Sequence, residues 1–231
     1  MISRLNGVLE AMRRRRLRDS APLEFLDSDD LCDFHFSVWS NPGHINRVGL
    51  THAIRQLGNA PALIVETGTS AWGCDSSRLL GSYTENFGGQ FFTVDIRDEP
   101  SVQLGDLGRS VSFIVDDSVS FLSHFKLPRD YQAISLAYLD SYDLDVNNPE
   151  PSMNHGLMEW HALLPHLKKG SVVVVDDTPI ESLLLGGASS KQHKLVDGTI
   201  PGKGALILKD SFFKANFEIL YHHYNFVAKW V

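Results

Sequence analysis

The sequence predicts an α/β fold: a doubly wound, seven-stranded, mostly parallel sheet that ends in a C-terminal antiparallel hairpin. Three observations carry this. Short β-rich runs alternate with segments of helical spacing, as parallel strands joined by crossover helices require. Each of the first five runs ends at an acidic residue or just before one. Two further β-rich runs, "FEILYHHY" and "FVAKWV", follow each other almost directly and read as a hairpin whose last strand opposes the others.

In chain order, residues 1–60 read as a mostly helical N-terminal extension, with a break at "SNPGH" (Asn41 to His44). Residues 61–231 read as one globular unit. Its strands are expected at Ala62 to Glu66, Gln90 to Asp95, Val111 to Val115, Ala133 to Asp140 and Ser171 to Asp176. The segment "GALILKDSFFKAN" spaces Ala205, Leu208, Phe212 and Ala215 as one helical face, closed by Asn216. From Thr178 to Gly204 runs a Gly- and Ser-rich stretch too long for a simple connection, so it reads as a functional loop or lid. The adjacent His222 and His223 would point to opposite faces of a strand, which makes them a hairpin feature rather than a chelating pair.

Composition narrows the function classes. A chain of 231 residues, 43% hydrophobic, can bury one sizeable core. Its longest apolar runs, near Val172 to Val175, fall far short of the roughly 20 residues that span a bilayer, so no membrane segment is expected. Only Cys32 and Cys74 are present, and neither belongs to a paired-ligand motif, which suits a reducing, cytoplasmic setting. Net charge is -7, yet residues 1–18 hold six arginines against Glu10, leaving -12 on the rest. An acidic body argues against nucleic acid as partner. The arginine arm reads as a solvated helix end, a contact for phosphate or an acidic partner, or a targeting piece.

The stretch "VETGTSAWG" turns from a strand into a helix. Gly68 and Gly73 permit positive φ or close ligand approach, and Thr69, Ser70 and Ser76 bring hydroxyls to a helix N-terminus. Glu66, closing the strand, would repel a polyphosphate but could accept from a ligand's ammonium group or from loop N–H groups. G-x-G-x-x-G is absent because Ser70 replaces its second glycine, and no G-K-[ST] follows. An amino acid-like ligand fits. Asp95, at the tip of "FFTVDI", could accept both hydroxyl protons of a ribose. Asp117 or Ser118, in "FIVDDS", could meet an adenine edge or simply cap the following helix.

Together, "VETGTSAWG", "FFTVDI", "VDDS", "AYLDSYD" and "LLPHLKKGSVVVVDD" resemble the Rossmann-like S-adenosylmethionine-dependent methyltransferases over roughly Ala62 to Asp177. The resemblance implies that Glu66, Gly68, Thr69, Ser70 and Gly73 hold the methionine part of the cofactor. It puts the ribose on Asp95 and the adenine near Asp117 and Ser118. The first turn departs from the family's more glycine-rich version. Asp140, followed later by the pair Asp176 and Asp177, is similar to the catechol-type and sugar-type metal-dependent O-methyltransferases. That likeness implies a divalent cation, magnesium first, on Asp140, Asp176 and Asp177. Three carboxylates on one rim would repel unless protonated, hydrogen bonded or neutralised by a cation, and oxygen ligands favour a hard ion. Such a cation would gather a vicinal diol and lower the pKa of one hydroxyl.

Catechol-type enzymes carry a lysine shortly after the fourth-strand aspartate; this chain has Ser141, Tyr142 and Asp143. The general base is therefore open among Asp140 without metal, Asp143, His155 and His161. Tyr142 and Trp160 are candidates for stacking, with core packing an equal alternative for Trp160. The implied activity is O-methyl transfer to a hydroxylated small molecule: a sugar, polyketide-like or phenolic acceptor, recognised by residues 1–60 and 178–204. A metal-independent enzyme and a non-catalytic binding member of the fold are the alternatives, and a homo-oligomer is left open.

Overall fold

The computed structural model describes residues 24–69, 74–184 and 198–231. In order they form α1 (Ser28–Phe34), a π-helical turn (His35–Trp39), α2 (Arg47–Leu57), β1 (Ala62–Thr67), α3 (Ser76–Phe87), β2 (Gly89–Asp95) and α4 (Glu99–Leu104). There follow β3 (Val111–Val115), α5 (Ser118–His124), β4 (Leu136–Leu139), α6 (Glu150–Leu163), β5 (Val172–Val175) and α7 (Glu181–Leu184). The chain ends with α8 (Ser211–Asn216), β6 (Phe217–His222) and β7 (Phe226–Trp230). Among the described residues no helix is long and apolar enough to cross a membrane.

The strands make one seven-stranded sheet in the order β3-β2-β1-β4-β5-β7-β6. Strands β1 to β5 are mutually parallel, and β7 runs antiparallel to both β5 and β6, as the sequence predicts. The chain winds outward from β1 to β3 and then returns to the other side of β1. Strand order therefore reverses between β1 and β4, and a crevice opens beyond their carboxyl ends.

Both sheet faces are buried, which explains why the central strands read as unbroken apolar runs. Ala62 and Ile64 of β1, with Val172 and Val174 of β5, face Leu31, Phe36, Leu50, Ile54, Leu79 and Tyr83 from α1, the π turn, α2 and α3. Leu63, Val65, Val173 and Val175 face the opposite way, against Leu122, Trp160, Leu163 and Phe213. Helices α1 and α2 thus share a core with the sheet. Trp160 is fully buried there and packs edge-on to Phe213 and Phe217, so core packing is its role. Both cysteines are free and buried, and burial pushes the Cys32 thiol up to about 12.

Two expectations change. Strand β4 is shorter than Ala133 to Asp140: the Ile134 amide donates to the His166 carbonyl, in the turn before β5, and not to a neighbouring strand. The single helix expected over Ala205 to Asn216 is interrupted. A 3-10 turn at Ile207–Lys209 is followed by a new start at Asp210, whose carboxylate accepts from the Phe213 amide at 2.9 Å. Of the expected face Ala205 is buried, but Ile207 and Phe213 are the large buried side chains, and Phe212 is exposed. Replacing Asp210 with alanine removes this cap and is expected to cost about 1 kcal/mol, read as a lower urea midpoint.

Candidate functional site

A cavity of about 580 Å³ lies over the switch point, lined among others by Gly68, Thr69, Asp95, Asp140, Asp176 and Asp177. A recess of about 190 Å³ adjoins it, sharing Gly68, Asp95 and Ser141 and adding Asp117, Ser118 and His155. At their junction β1 leaves the sheet through Gly68, at φ 80°. Its amide donates to the Val94 carbonyl at 2.7 Å, while the Asp140 amide donates to the Thr67 carbonyl at 2.8 Å. These two bonds clamp the tips of β1, β2 and β4 together. Asp95 accepts from the Thr69 amide at 3.2 Å and from Arg97 through Nε at 3.0 Å and Nη2 at 3.2 Å. In the recess, Ser118 Oγ lies 3.0 Å from His155 Nε2, and the Tyr142 ring stands 5.4 Å from that imidazole.

Across the crevice, β4 and β5 present the carboxylates. Asp176 Oδ2 accepts from Asn46 Nδ2 at 2.5 Å and from the Tyr138 hydroxyl at 2.6 Å, and its Oδ1 accepts from the Asp177 backbone amide. Asp177, at the left-handed φ of 44°, accepts from the Tyr224 hydroxyl at 2.6 Å and from the Leu144 amide at 3.3 Å. Between Asp140 and Asp177 stands the ammonium of Lys203, 2.9 Å from Asp140 Oδ1 and 4.0 Å from Asp177 Oδ2. Burial pushes Asp140 and Asp176 up, and the neighbouring carboxylates add to the rise. Burial alone would push Lys203 down; Asp140, Asp177 and Asp176 outweigh it and hold the ammonium above the ordinary lysine value.

No protein-family model and no curated protein sequence matches the chain. Solved structures do. MycE, a methyltransferase of mycinamycin biosynthesis in complex with Mg, SAH and mycinamycin VI, superposes with a TM-score of 0.60 at 16% identity. The match covers 91% of this chain, which spans only 56% of MycE. CalS11, a TDP-rhamnose 3'-O-methyltransferase of calicheamicin biosynthesis, gives 0.54 at 14% identity over 97% of this chain and 94% of its own. TomG, an O-methyltransferase from Streptomyces achromogenes in complex with SAM, gives 0.50 at 17% identity over 88% of each. This chain has the Rossmann-like methyltransferase fold.

Within the methyltransferase fold, most residues singled out from sequence meet at one rim. Gly68, Thr69, Asp95, Asp117, Ser118 and Tyr142 line the cavity or the recess, and Asp140, Asp143, Asp176 and Asp177 line the cavity. Ser70 and Gly73, with Trp72 and residues 185–197 of the long loop, lie outside the described residues.

Two assignments are corrected. Glu66 is fully buried and borders neither cavity; its oxygens accept from Ser76 at 2.5 Å, Thr93 at 2.7 Å and Ser77. It pins β1 to β2 and α3 instead of holding a ligand's ammonium. Asp117 caps α5, its Oδ1 accepting from the Ser120 amide at 2.8 Å, and it also lines the recess. His161 is a surface residue 3.7 Å from Asp210 and touches neither cavity, which removes it as a base.

The divalent-cation site does not fit as expected. Donors already occupy both oxygens of Asp176 and Asp177 and Oδ1 of Asp140, and an ammonium stands between two of the three acids. Among the described residues no three His, Cys, Asp or Glu side chains group to hold a metal ion. Sequence reading missed Lys203, Asn46, Tyr138 and Tyr224. Tyr138 was the most legible of these, since a residue two before Asp140 on one strand shares its face.

Proposed function

We propose that the chain is an S-adenosylmethionine-dependent O-methyltransferase acting on a hydroxylated small molecule, in a cytoplasmic setting. One observation carries the reading: in a methyltransferase fold, a single cavity runs from the glycine turn and ribose-type acid, Gly68 and Asp95, to a bank of carboxylates around Asp140. The recess fits a nucleoside, with Asp95 for the ribose and Ser118, His155 and Tyr142 around the base. When bound, S-adenosylmethionine supplies an electrophilic methyl group.

The chain's own residues do the rest. Tyr138 has one hydroxyl proton to give; Asp176 at 2.6 Å takes it in preference to Asp140 Oδ2 at 3.2 Å. Asp140 Oδ2 is thus left to accept from an acceptor hydroxyl and to take its proton as that oxygen gains the methyl group; Asp143 lines the same cavity. Orientation of that oxygen supplies much of the acceleration. His44 and Ile45, from the break before α2, wall the acceptor side. The metal-assisted version expected from sequence has support in the magnesium bound by MycE. Lys203 favours the metal-independent alternative, and no step here needs a cation.

Calorimetry with S-adenosylmethionine tests the reading: the purified chain is expected to bind it. Asp95→Ala, which removes charged acceptors from the ribose, is expected to weaken binding by about ten- to a hundredfold, since such a bond is worth about 1.5–3 kcal/mol. A folded chain that binds no cofactor overturns the proposal. One that binds it and methylates nothing supports the non-catalytic alternative.

A further inference from the structure

We propose that Lys203 is the resident cation of the acceptor site, built into the chain where a divalent ion would otherwise neutralise Asp140 and Asp177. The proposal rests on the methyltransferase reading only for what the site acts upon. Its basis is how firmly the ammonium is held. Lys203 is fully buried, so letting an ion in would require unpacking its stem. Its own amide donates to the Asp177 carbonyl at 2.8 Å, and the next amide, of Gly204, donates to Thr178 Oγ1 at 2.9 Å. The segment is thus stitched to the turn that carries two of the three acids.

The flanking glycines make this approach possible. A Cβ on Gly202 would come within 3.0 Å of the Asp177 carbonyl oxygen, and one on Gly204 within 2.4 Å of the Phe226 ring. From the other side, a Cβ on Gly156 of α6 would lie 2.5 Å from the Lys203 carbonyl oxygen and 3.1 Å from its Cγ. Lysine backbone and stem are therefore enclosed by strand turn, ring and helix. A long side chain on a backbone this close puts a charge between Asp140 and Asp177.

A consequence concerns the substrate. A bound divalent ion gathers two adjacent oxygens of an acceptor, whereas a tethered ammonium already donates to Asp140 Oδ1 and leaves Asp140 Oδ2 as the carboxylate oxygen for an acceptor hydroxyl. The site then suits a single hydroxyl and has no need of a catechol or vicinal diol.

Manganese titration of the full chain, followed by the loss of the free-ion electron paramagnetic resonance signal, tests this without any acceptor. Wild type is expected to bind no manganese up to about millimolar, a range in which carboxylate sites commonly fill. Lys203→Met, which keeps the stem and deletes the charge, is expected to gain binding at least tenfold. Lys203→Arg, which keeps the charge, is expected to gain none. Tight manganese binding by wild type overturns the proposal whether or not the variants fold, and so does a folded Lys203→Met without any gain. Cofactor calorimetry on the same samples separates the two readings: a folded wild type that binds no cofactor sinks the methyltransferase assignment while leaving the manganese result to judge Lys203.

Discussion

Gly68→Ala is expected to destabilise the protein by roughly 2–5 kcal/mol and to abolish cofactor binding by whatever remains folded. Two physical effects add. A left-handed backbone costs a residue with a Cβ about 1–2 kcal/mol, and Gly68 sits at φ 80°. The new Cβ would also stand 2.1 Å from the Asp140 carbonyl oxygen and 2.5 Å from its carbon, backbone atoms with no rotamer to escape into. Overpacking of that kind adds about 1–3 kcal/mol. Relief requires β1 and β4 to part at their tips, and that gap is where the cofactor reading places the ligand. Gly170→Ala is the control. At φ 94° it meets the same backbone penalty, but nothing lies within 4 Å of its Cβ, so about 1–2 kcal/mol is expected. Urea denaturation of both variants, with cofactor calorimetry, checks the difference; equal losses would mean that the close approach of the two strand tips does not matter.

The parts of this site that could be read from sequence are those fixed by strand geometry. An acid at a strand's carboxyl end must reach the sheet rim, and parallel strands share one rim, so Asp95, Asp140, Asp176 and Asp177 were legible together. Gly68 was legible because a sharp exit from β1 needs a residue that tolerates positive φ. Lys203 was not. It lies 63 residues from Asp140 in the chain, in a loop with neither periodicity nor motif, and only tertiary packing brings it to the acids. Asp210 shows the local counterpart: apolar spacing ran a helix straight through it, while its side chain had a competing bond to offer the backbone.

Glu66 failed for a related reason. Its position at the strand end was right, but the face it points to belongs to β2 and α3, whose hydroxyls claim it. A change to glutamine is expected to leave cofactor affinity near wild type and to alter how stability depends on pH. Burial pushes the Glu66 carboxyl from 4.5 to about 7, with Ser76, Ser77 and Thr93 opposing. The folded protein therefore holds this proton more tightly than the unfolded chain does. Stability from Glu66 is fully present below pH 4.5 and is lost as pH rises through 7. At about 1.4 kcal/mol per unit, the loss is about 3 kcal/mol. His35 works in the opposite direction. Burial lowers it from 6.5 to about 4, so its contribution is present above pH 6.5 and lost as pH falls towards 4. In wild type the two slopes oppose each other over the acidic range. Glu66→Gln removes one of them, and urea midpoints measured from pH 5 to pH 8 should show the variant gaining on wild type by up to about 3 kcal/mol as pH rises. A difference that stays constant with pH would mean the buried carboxyl does not exchange its proton on unfolding. A drop in cofactor affinity at constant stability would return Glu66 to the ligand.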